Sequence, residues 1–364
     1  MVVMLNNKSS KKNKILLLAS LILFVYSVVI FIICARSNEF ANLYSSTVAS
    51  SLRNVLSIIT GWFSFSLFEI VLILLLPLVV CLIVLIAVKK VRFRSVIRNV
   101  IFTISVLSFI FVNSFGVCYF CSPIERRMGL ERNSVSREEL YNASMIITKD
   151  LEETLDHVSF AKDGSSELIH DWRTVSKLID GGFDKISKEY DFISKTNALP
   201  KKIMLSKYMT YTHISGIFMP LTGEANVNTN YPDYVVTFSI AHEKAHQRGI
   251  ASEDEANFVA FLALVNSGDE YLEYAGYMSM FEYFLDSMYV HDTQMYYYLI
   301  GNSDERVIGE LYSYSVFFDE YRDSTASDVA DNINDTYIKT MGDSEGVKSY
   351  GKVVELMCAY LNKE

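Results

Sequence analysis

Three long apolar runs near the amino terminus constrain this chain more than any other feature of its sequence. They cover residues 15–35, 68–88 and 100–120, and each is close to the ~20 residues that cross a bilayer as a helix. The first run follows several lysines, but it is longer than the apolar core of a typical signal peptide. We therefore predict a membrane region in residues 1–121 with three transmembrane helices, the first of them an uncleaved anchor.

Basic residues beside these runs predict their orientation. Residues 8–14 include four lysines, and residues 89–98 include five lysines and arginines. Short basic segments next to a span stay in the cytoplasm. We therefore expect a multi-pass protein of the cell membrane with a cytoplasmic amino terminus and an extracellular domain in residues 122–364. The lipid bilayer is the first partner that the sequence implies.

Charge is distributed unevenly along the chain. Residues 1–121 hold two acids and eleven lysines and arginines, so the remainder holds 40 acids (42 − 2) against 22 bases (33 − 11). Nucleic-acid binding requires a concentrated basic face, which this acidic remainder lacks, so we exclude nucleic acid as a partner. The five cysteines are too scattered for a disulfide framework, and only a Cys121–Cys358 pair is left open.

Residues 122–364 show mainly helical patterns. Apolar spacing predicts a helix over 136–158, and another over 165–190 that is either continuous or broken at Gly181–Gly182. The segment 200–228 is rich in β-branched and aromatic residues and predicts two or three short strands. The fold class is therefore a multi-span α-helical membrane region followed by a mostly helical α+β domain.

The stretch "AHEKAHQRGIASEDEAN" (241–257) carries the chemistry. His242 and His246 are four residues apart, which places both imidazoles on one helix face within reach of one tetrahedral zinc ion. Glu243 lies about 100° around the helix and can point at the open position of that ion. The alternative is a solvated helix face with two histidines. We favour the metal because charges inside a largely apolar helix need a partner.

Turn signals around this stretch predict two helices. Asp233, after Pro232, is expected to cap the first helix, and Gly249 is expected to end it in a left-handed conformation. Ser252 and Glu255 have the spacing of a capping box that begins the next helix.

An acid at the start of this next helix supplies the third metal ligand in our prediction. We assign Glu253 rather than Glu255, because Glu255 has a capping task and lies about 200° away around the axis. Asn257 shares the face of Glu253 and is expected to steady an imidazole that binds the metal.

The same residues resemble the gluzincin group of zinc metallopeptidases. In that group the third ligand is a glutamate in an E-x-x-A-D motif, which Glu253, Ala256 and Asn257 match, with Asn in place of Asp. Four segments also resemble a family of bacterial three-span membrane proteins with a domain of unknown function: "FSFSLFE" (63–69), "TGEANVN" (222–228), "AHEKAHQRGIASEDEANF" (241–258) and "GVKSYGKVVELMCAY" (346–360). The gluzincin resemblance implies a zincin-like domain that binds Zn²⁺ and hydrolyses peptide bonds.

Two further sets of residues are candidates for the same site. Zincins lay their substrate along an edge strand, and "GEANVN" predicts such a strand with Glu224, Asn226 and Asn228 on one side; a polar turn is the alternative. An oxyanion stabiliser is usually His, Tyr or Arg, and His213 and Tyr350 are the candidates.

Three functions are compatible with this pattern. The first is a membrane-anchored zinc metallopeptidase acting on a peptide or protein substrate, with Glu243 as general base. The second is a non-catalytic receptor or scaffold that retains the zinc, and the third is a helical membrane interaction module without metal. An open metal position favours the enzyme, whereas a fourth protein ligand favours the receptor.

The orientation can be tested with reporter fusions. A reporter fused after residue 122 should be active only outside the cell, and one fused at residue 95 only inside, because the basic segments stay in the cytoplasm. The reverse pattern would place the histidine motif in the cytoplasm.

Overall fold

The computed structural model describes residues 2–130, 135–196, 198–340 and 350–363. The described chain is mostly helical. It divides into two compact units, one made of Met1–Cys121 with Met219–Gly223 and the other of Ser122–Phe218 with Glu224–Glu364.

The first unit contains three helices that are long and apolar enough to cross a membrane. They are Asn13–Arg36, Leu67–Ala87 and Phe93–Ser114. The α-helices of this unit are α1 (Val2–Arg36), α2 (Asn38–Tyr44), α3 (Ser50–Gly61), α4 (Leu67–Ala87) and α5 (Phe93–Ser114). The predicted membrane-type helices are therefore confirmed as helices.

The third apolar helix is shifted from its predicted bounds. We expected residues 100–120, but α5 begins at Phe93 and ends at Ser114. Its first turns include basic residues that the apolar run left out. At the other end Phe115 leaves the helical conformation, with φ −142° and ψ −40°, and residues Gly116–Phe120 form a 3-10 helix.

Polar groups inside the first unit are paired. The Tyr44 hydroxyl donates to Asn113 Oδ1 at 2.6 Å, and Arg53 donates to the Ser114 carbonyl at 2.6 Å. Both contacts join the segment after α1 to α5. An unpaired polar group is costly away from water, so these contacts fix how the helices of this unit meet.

The second unit is built around α11. Its α-helices are α6 (Ile124–Met128), α7 (Arg137–Thr154), α8 (Trp172–Ile186), α9 (Ser206–Thr210), α10 (Asp233–Gln247), α11 (Glu253–Val265), α12 (Glu270–His291), α13 (Thr293–Asn302), α14 (Glu305–Phe318), α15 (Thr325–Thr340) and α16 (Tyr350–Leu361). Nearly every residue of α11 after Glu255 is apolar and buried. A helix that is apolar on all sides belongs in a core, and α11 packs against α8, α10, α12 and α16.

Helix α8 is continuous. It begins at Trp172 with Asp171 as N-cap and runs through Gly181–Gly182 without a break, so the single-helix alternative is right. Gly182 faces α11 so closely that an added Cβ would lie 1.9 Å from the Ala263 carbonyl oxygen. The missing side chain therefore lets the two helices meet.

A small three-stranded sheet lies beside these helices. Its strands are β1 (Lys201–Lys202), β2 (Gly216–Met219) and β3 (Glu224–Val227), in the order β1-β3-β2, with β1 parallel to β3. The predicted short strands are confirmed. The prediction that "GEANVN" is an edge strand was wrong, because β3 has a neighbour on both sides. Within the described residues, β1 and β2 are therefore the outer strands of the sheet.

The close contact of α8 with α11 yields a test with a matched control. Gly182→Ala should lower the melting temperature of the purified chain, because overpacking costs about 1–3 kcal/mol. Gly181→Ala should be neutral or stabilising by up to about 1 kcal/mol, because alanine favours helix and no described atom beyond its own stretch of helix lies within 4 Å of its added Cβ. Equal melting temperatures for the two variants would contradict the close packing.

Candidate metal centre

Helix α10 presents the histidine motif, although not with the predicted cap. Pro232 occupies the N-cap position and makes no side-chain cap hydrogen bond. The prediction that Asp233 caps the helix was wrong, because its Oδ2 accepts the Leu168 N–H at 2.9 Å. The Asp233 carboxylate therefore binds a residue distant in the chain instead of capping the start of α10.

The end of α10 forms a tight reversal. The Gly249 N–H donates to the His246 carbonyl and the Ile250 N–H to the Ala245 carbonyl, the two bonds of a Schellman motif. Gly249 has φ +98°, which confirms its predicted left-handed conformation. The reversal also brings the Ile250 carbonyl oxygen to 2.7 Å from His246 Nδ1. Gly249 therefore ends α10 and also lets the Ile250 carbonyl orient the ring of His246.

Helix α11 begins where predicted but is capped differently. Ser252 is the N-cap residue, yet it makes no side-chain cap hydrogen bond and instead donates to Asp254. The predicted capping box was wrong, because Glu255 Oε1 accepts the Ile124 N–H at 2.9 Å. Burial raises the pKa of Glu255 to about 7. Glu255 therefore anchors α6 to the core and does not face the histidines.

Three side-chain atoms converge between α10 and α11. His242 Nε2 lies 3.0 Å from His246 Nε2, and Glu253 Oε2 lies 3.1 Å from the first and 3.4 Å from the second. Ligand atoms about 2.0–2.1 Å from one tetrahedral cation stand about 3.3–3.4 Å apart. The three atoms thus have nearly the spacing of ligands around a single ion.

The hydrogen bonds of the two Nδ1 atoms determine whether the Nε2 atoms of His242 and His246 carry a proton. A carbonyl oxygen can only accept, so His246 Nδ1 carries the proton that it donates to Ile250. His242 Nδ1 lies 2.7 Å from Asn257 Oδ1, which places its proton on the same side. Both Nε2 atoms then turn lone pairs toward each other and toward the carboxylate.

Such a meeting of acceptors requires a cation. Burial lowers the pKa of His246, but the Glu253 carboxylate outweighs it and raises that pKa to about 9. Without a metal, the group therefore holds a proton in its place. The donor set of two imidazoles and one carboxylate is one that zinc accepts.

Glu243 lies beside this group and is itself only 4% exposed. The Phe218 N–H donates to its carboxylate, while Oε2 has no hydrogen-bond partner within the described part of the chain. A Cβ added to Gly216 would fall 2.5 Å from Oε1, so β2 passes directly over this carboxylate. Burial raises the pKa of Glu243 to about 7, although both histidines oppose the shift.

The two basic residues of the motif, Lys244 and Arg248, form buried contacts that join α10 to α8. Lys244 is fully buried, donates to Ser176 Oγ at 3.0 Å and to Asp180 Oδ2 at 3.2 Å, and forms an ion pair with Asp180 Oδ1 at 3.0 Å. Arg248 donates to the same Asp180 Oδ1 at 2.6 Å. Burial lowers the pKa of Lys244 to about 8, and Asp180 opposes that shift. One acid of α8 therefore pairs with two bases of α10.

The residues proposed for substrate are buried at the central strand of the sheet. Glu224, Asn226 and Asn228 are 2% exposed or less on the central strand and just after it. Asn226 donates to the carbonyls of Ile217 and Glu224, and Asn228 donates to the carbonyl of Ile214. The two asparagines hold the sheet together.

Neither oxyanion candidate is joined to the three converging atoms by a described contact. His213 Nε2 donates to the Tyr321 carbonyl at 2.9 Å, and its ring packs against Phe318. Tyr350 begins α16, and its side chain lies outside the described residues. Cys121 and Cys358, left open as a pair, are not joined by a disulfide.

Sequence reasoning missed several residues that shape this site. Gly216, Phe218 and the carbonyl of Ile250 act through the backbone, and no motif marks them. Asp180 could have been found, because a buried Lys and Arg one turn apart on α10 require an acid nearby. Its partner helix, however, cannot be identified from sequence spacing.

Comparison with known families gives one match. The model of a family described as "Protein of unknown function (DUF3810)" matches residues 44–358. The chain belongs to this family. The matched range includes α10, α11 and two of the three apolar helices. No curated protein and no solved structure matches the chain.

Proposed function

We propose that this DUF3810 protein is a membrane-anchored, zinc-dependent peptidase with a zincin-like domain outside the cytoplasmic membrane. The observation that carries the proposal is the convergence of three lone pairs, from His242, His246 and Glu253, beside a buried carboxylate oxygen of Glu243 that has no partner among the described residues. A zinc ion fits the three, and the fourth group is placed to act on a water molecule next to it.

The number of ligands favours an enzyme over a receptor or scaffold. A structural zinc has four protein ligands, whereas a catalytic zinc has three and keeps one position for water or substrate. No fourth His, Cys, Asp or Glu joins the group within residues 2–130, 135–196, 198–340 and 350–363. A module without metal would have to hold a proton between these acceptors in place of the ion.

The chain's own residues suggest how hydrolysis proceeds. Zinc, when bound, polarises the scissile carbonyl and lowers the pKa of a water molecule. Glu243 Oε2 accepts a proton from the attacking water, whose oxygen bonds to the carbonyl carbon. The same carboxyl then donates this proton to the amide nitrogen as the C–N bond breaks. The Phe218 N–H holds the other oxygen and so fixes the direction of Oε2.

The strand β2 supplies a path for the substrate. It lies at one end of the strand order and passes over Glu243 at Gly216. An extended peptide can add to the outer strand of a sheet through backbone hydrogen bonds. We therefore propose that the substrate is a peptide segment bound along β2, the role we first expected of β3.

Glu243→Gln tests the mechanism. The purified full-length chain should keep its zinc, measured by elemental analysis, but lose about 10²–10⁴-fold in peptide hydrolysis, because glutamine cannot accept the proton. His242→Ala should lose the zinc itself. A Glu243→Gln protein that cleaves peptides as fast as the parent would contradict the role of this carboxylate, and a metal-free parent would contradict the proposed function.

The third ligand is tested by a pair of variants. Glu253→Ala should sharply reduce bound zinc with little effect on melting temperature. Glu255→Ala should keep the zinc but lose about 1–3 kcal/mol of stability, because it leaves the buried Ile124 N–H unpaired. Glu255→Gln retains an acceptor and should restore most of this loss. Loss of zinc in the Glu255 variants alone would reverse the assignment.

A further inference from the structure

A second feature of α10 is a cavity that the histidine site does not use. It has a volume of about 610 Å³ and lies within the second unit, between α10, α12, α13 and α14. Its size falls within the range of pockets that bind small molecules or side chains.

The cavity begins one helical turn from the catalytic group. Ser239 lines it and precedes Glu243 by four residues, and Phe238 precedes His242 by the same number. Four residues of helix span about 6 Å. Ser215, which also lines the cavity, is adjacent to Gly216 on the strand that crosses Glu243. A peptide on β2 with its scissile bond at Glu243 can therefore send a neighbouring side chain into the cavity.

The cavity is lined by two acids. Glu282 and Asp286 lie one turn apart on the same face of α12, and no Lys, Arg or His is among the described lining residues. The Tyr234 hydroxyl donates to Glu282 Oε1 at 3.0 Å. Burial, with a smaller contribution from Asp286, raises the pKa of Glu282 to about 8, and the hydrogen bond from Tyr234 opposes the shift. A bound cation would offset this cost of ionisation.

The rest of the lining suits a long basic side chain. Tyr283, Tyr296 and Tyr312 present aromatic rings, whose faces attract guanidinium and ammonium groups. Leu285 and Leu311 supply apolar surface for the methylene stem. An apolar side chain would offer neither acid an opposite charge.

We propose that this cavity is a specificity pocket that receives an arginine or lysine side chain of the peptide next to the bond that is cleaved. This inference rests on the proposed peptidase function for the cleavage step, but binding to the pocket can be measured without it.

The test uses peptides that differ in one charge. Citrulline is nearly isosteric with arginine but uncharged. Mixtures of eight-residue peptides, each with arginine or citrulline fixed at one position in turn, are incubated with the zinc-loaded full-length chain. At one position near the cleaved bond, kcat/KM should be about 10- to 100-fold higher for arginine, the range expected for charged hydrogen bonds.

Variants of the lining acids identify the residues that cause the preference for arginine. Asp286→Asn and Glu282→Gln should each reduce the arginine-to-citrulline ratio of kcat/KM toward one. Glu273→Gln removes an acid of the same helix that does not line the cavity, and should keep the ratio. Melting temperatures identify any variant that fails to fold. Asp286 is exposed, so its substitution should disturb folding less than the substitution of Glu282.

A binding measurement separates the two proposals. Fluorescence anisotropy with labelled arginine and citrulline mixtures is performed on Glu243→Gln, with and without Asp286→Asn. A preference for arginine that Asp286→Asn removes supports the pocket even if no peptide is hydrolysed. Hydrolysis with equal rates for both peptides, or a preference that survives both pocket variants, would overturn the pocket and leave the peptidase proposal standing. Equal binding of both peptides would also overturn it.

Discussion

The reversal between α10 and α11 is the constraint on which the site depends. Gly249 adopts a left-handed conformation there, and the chain turns back within a few residues. The turn sets the start of α11, so that Glu253 faces the two histidines of α10. It also directs the Ile250 carbonyl at His246 and thereby fixes which ring nitrogen carries the proton. A side chain at position 249 would strain the backbone that makes these contacts.

Different faces of helix α10 make different contacts. His242 and His246 turn toward α11, while Lys244 and Arg248 turn toward α8 and share Asp180. The buried pairing with Asp180 ties α10 to α8, because removing one partner would leave an uncompensated charge in the core. The first two turns of α10 line the acidic cavity instead. One rigid helix thus links the proposed chemistry to the proposed pocket.

Much of the fold follows from pattern. Apolar runs of bilayer length, helical periodicity and the turn residue Gly249 are local properties, and the described helices agree with them. Spacing on one helix selects residues 242, 243 and 246. Glu253 was preferred over Glu255 partly for a capping task that Glu255 does not have. Local reasoning failed where a side chain found a distant partner: Asp233 binds the Leu168 N–H, and Glu255 binds the Ile124 N–H.

The sequence by itself determined that this chain has membrane-type helices, a helical second unit and a histidine pair on one helix face, because each depends on the order of neighbouring residues. Only the tertiary structure decided that β2 rather than β3 crosses Glu243, that Asp180 neutralises the bases of α10, and that two acids of α12 border a cavity beside the site. These features join residues that are about 25 to 70 positions apart in the chain. Strand order and helix packing bring them together, and no local spacing encodes either.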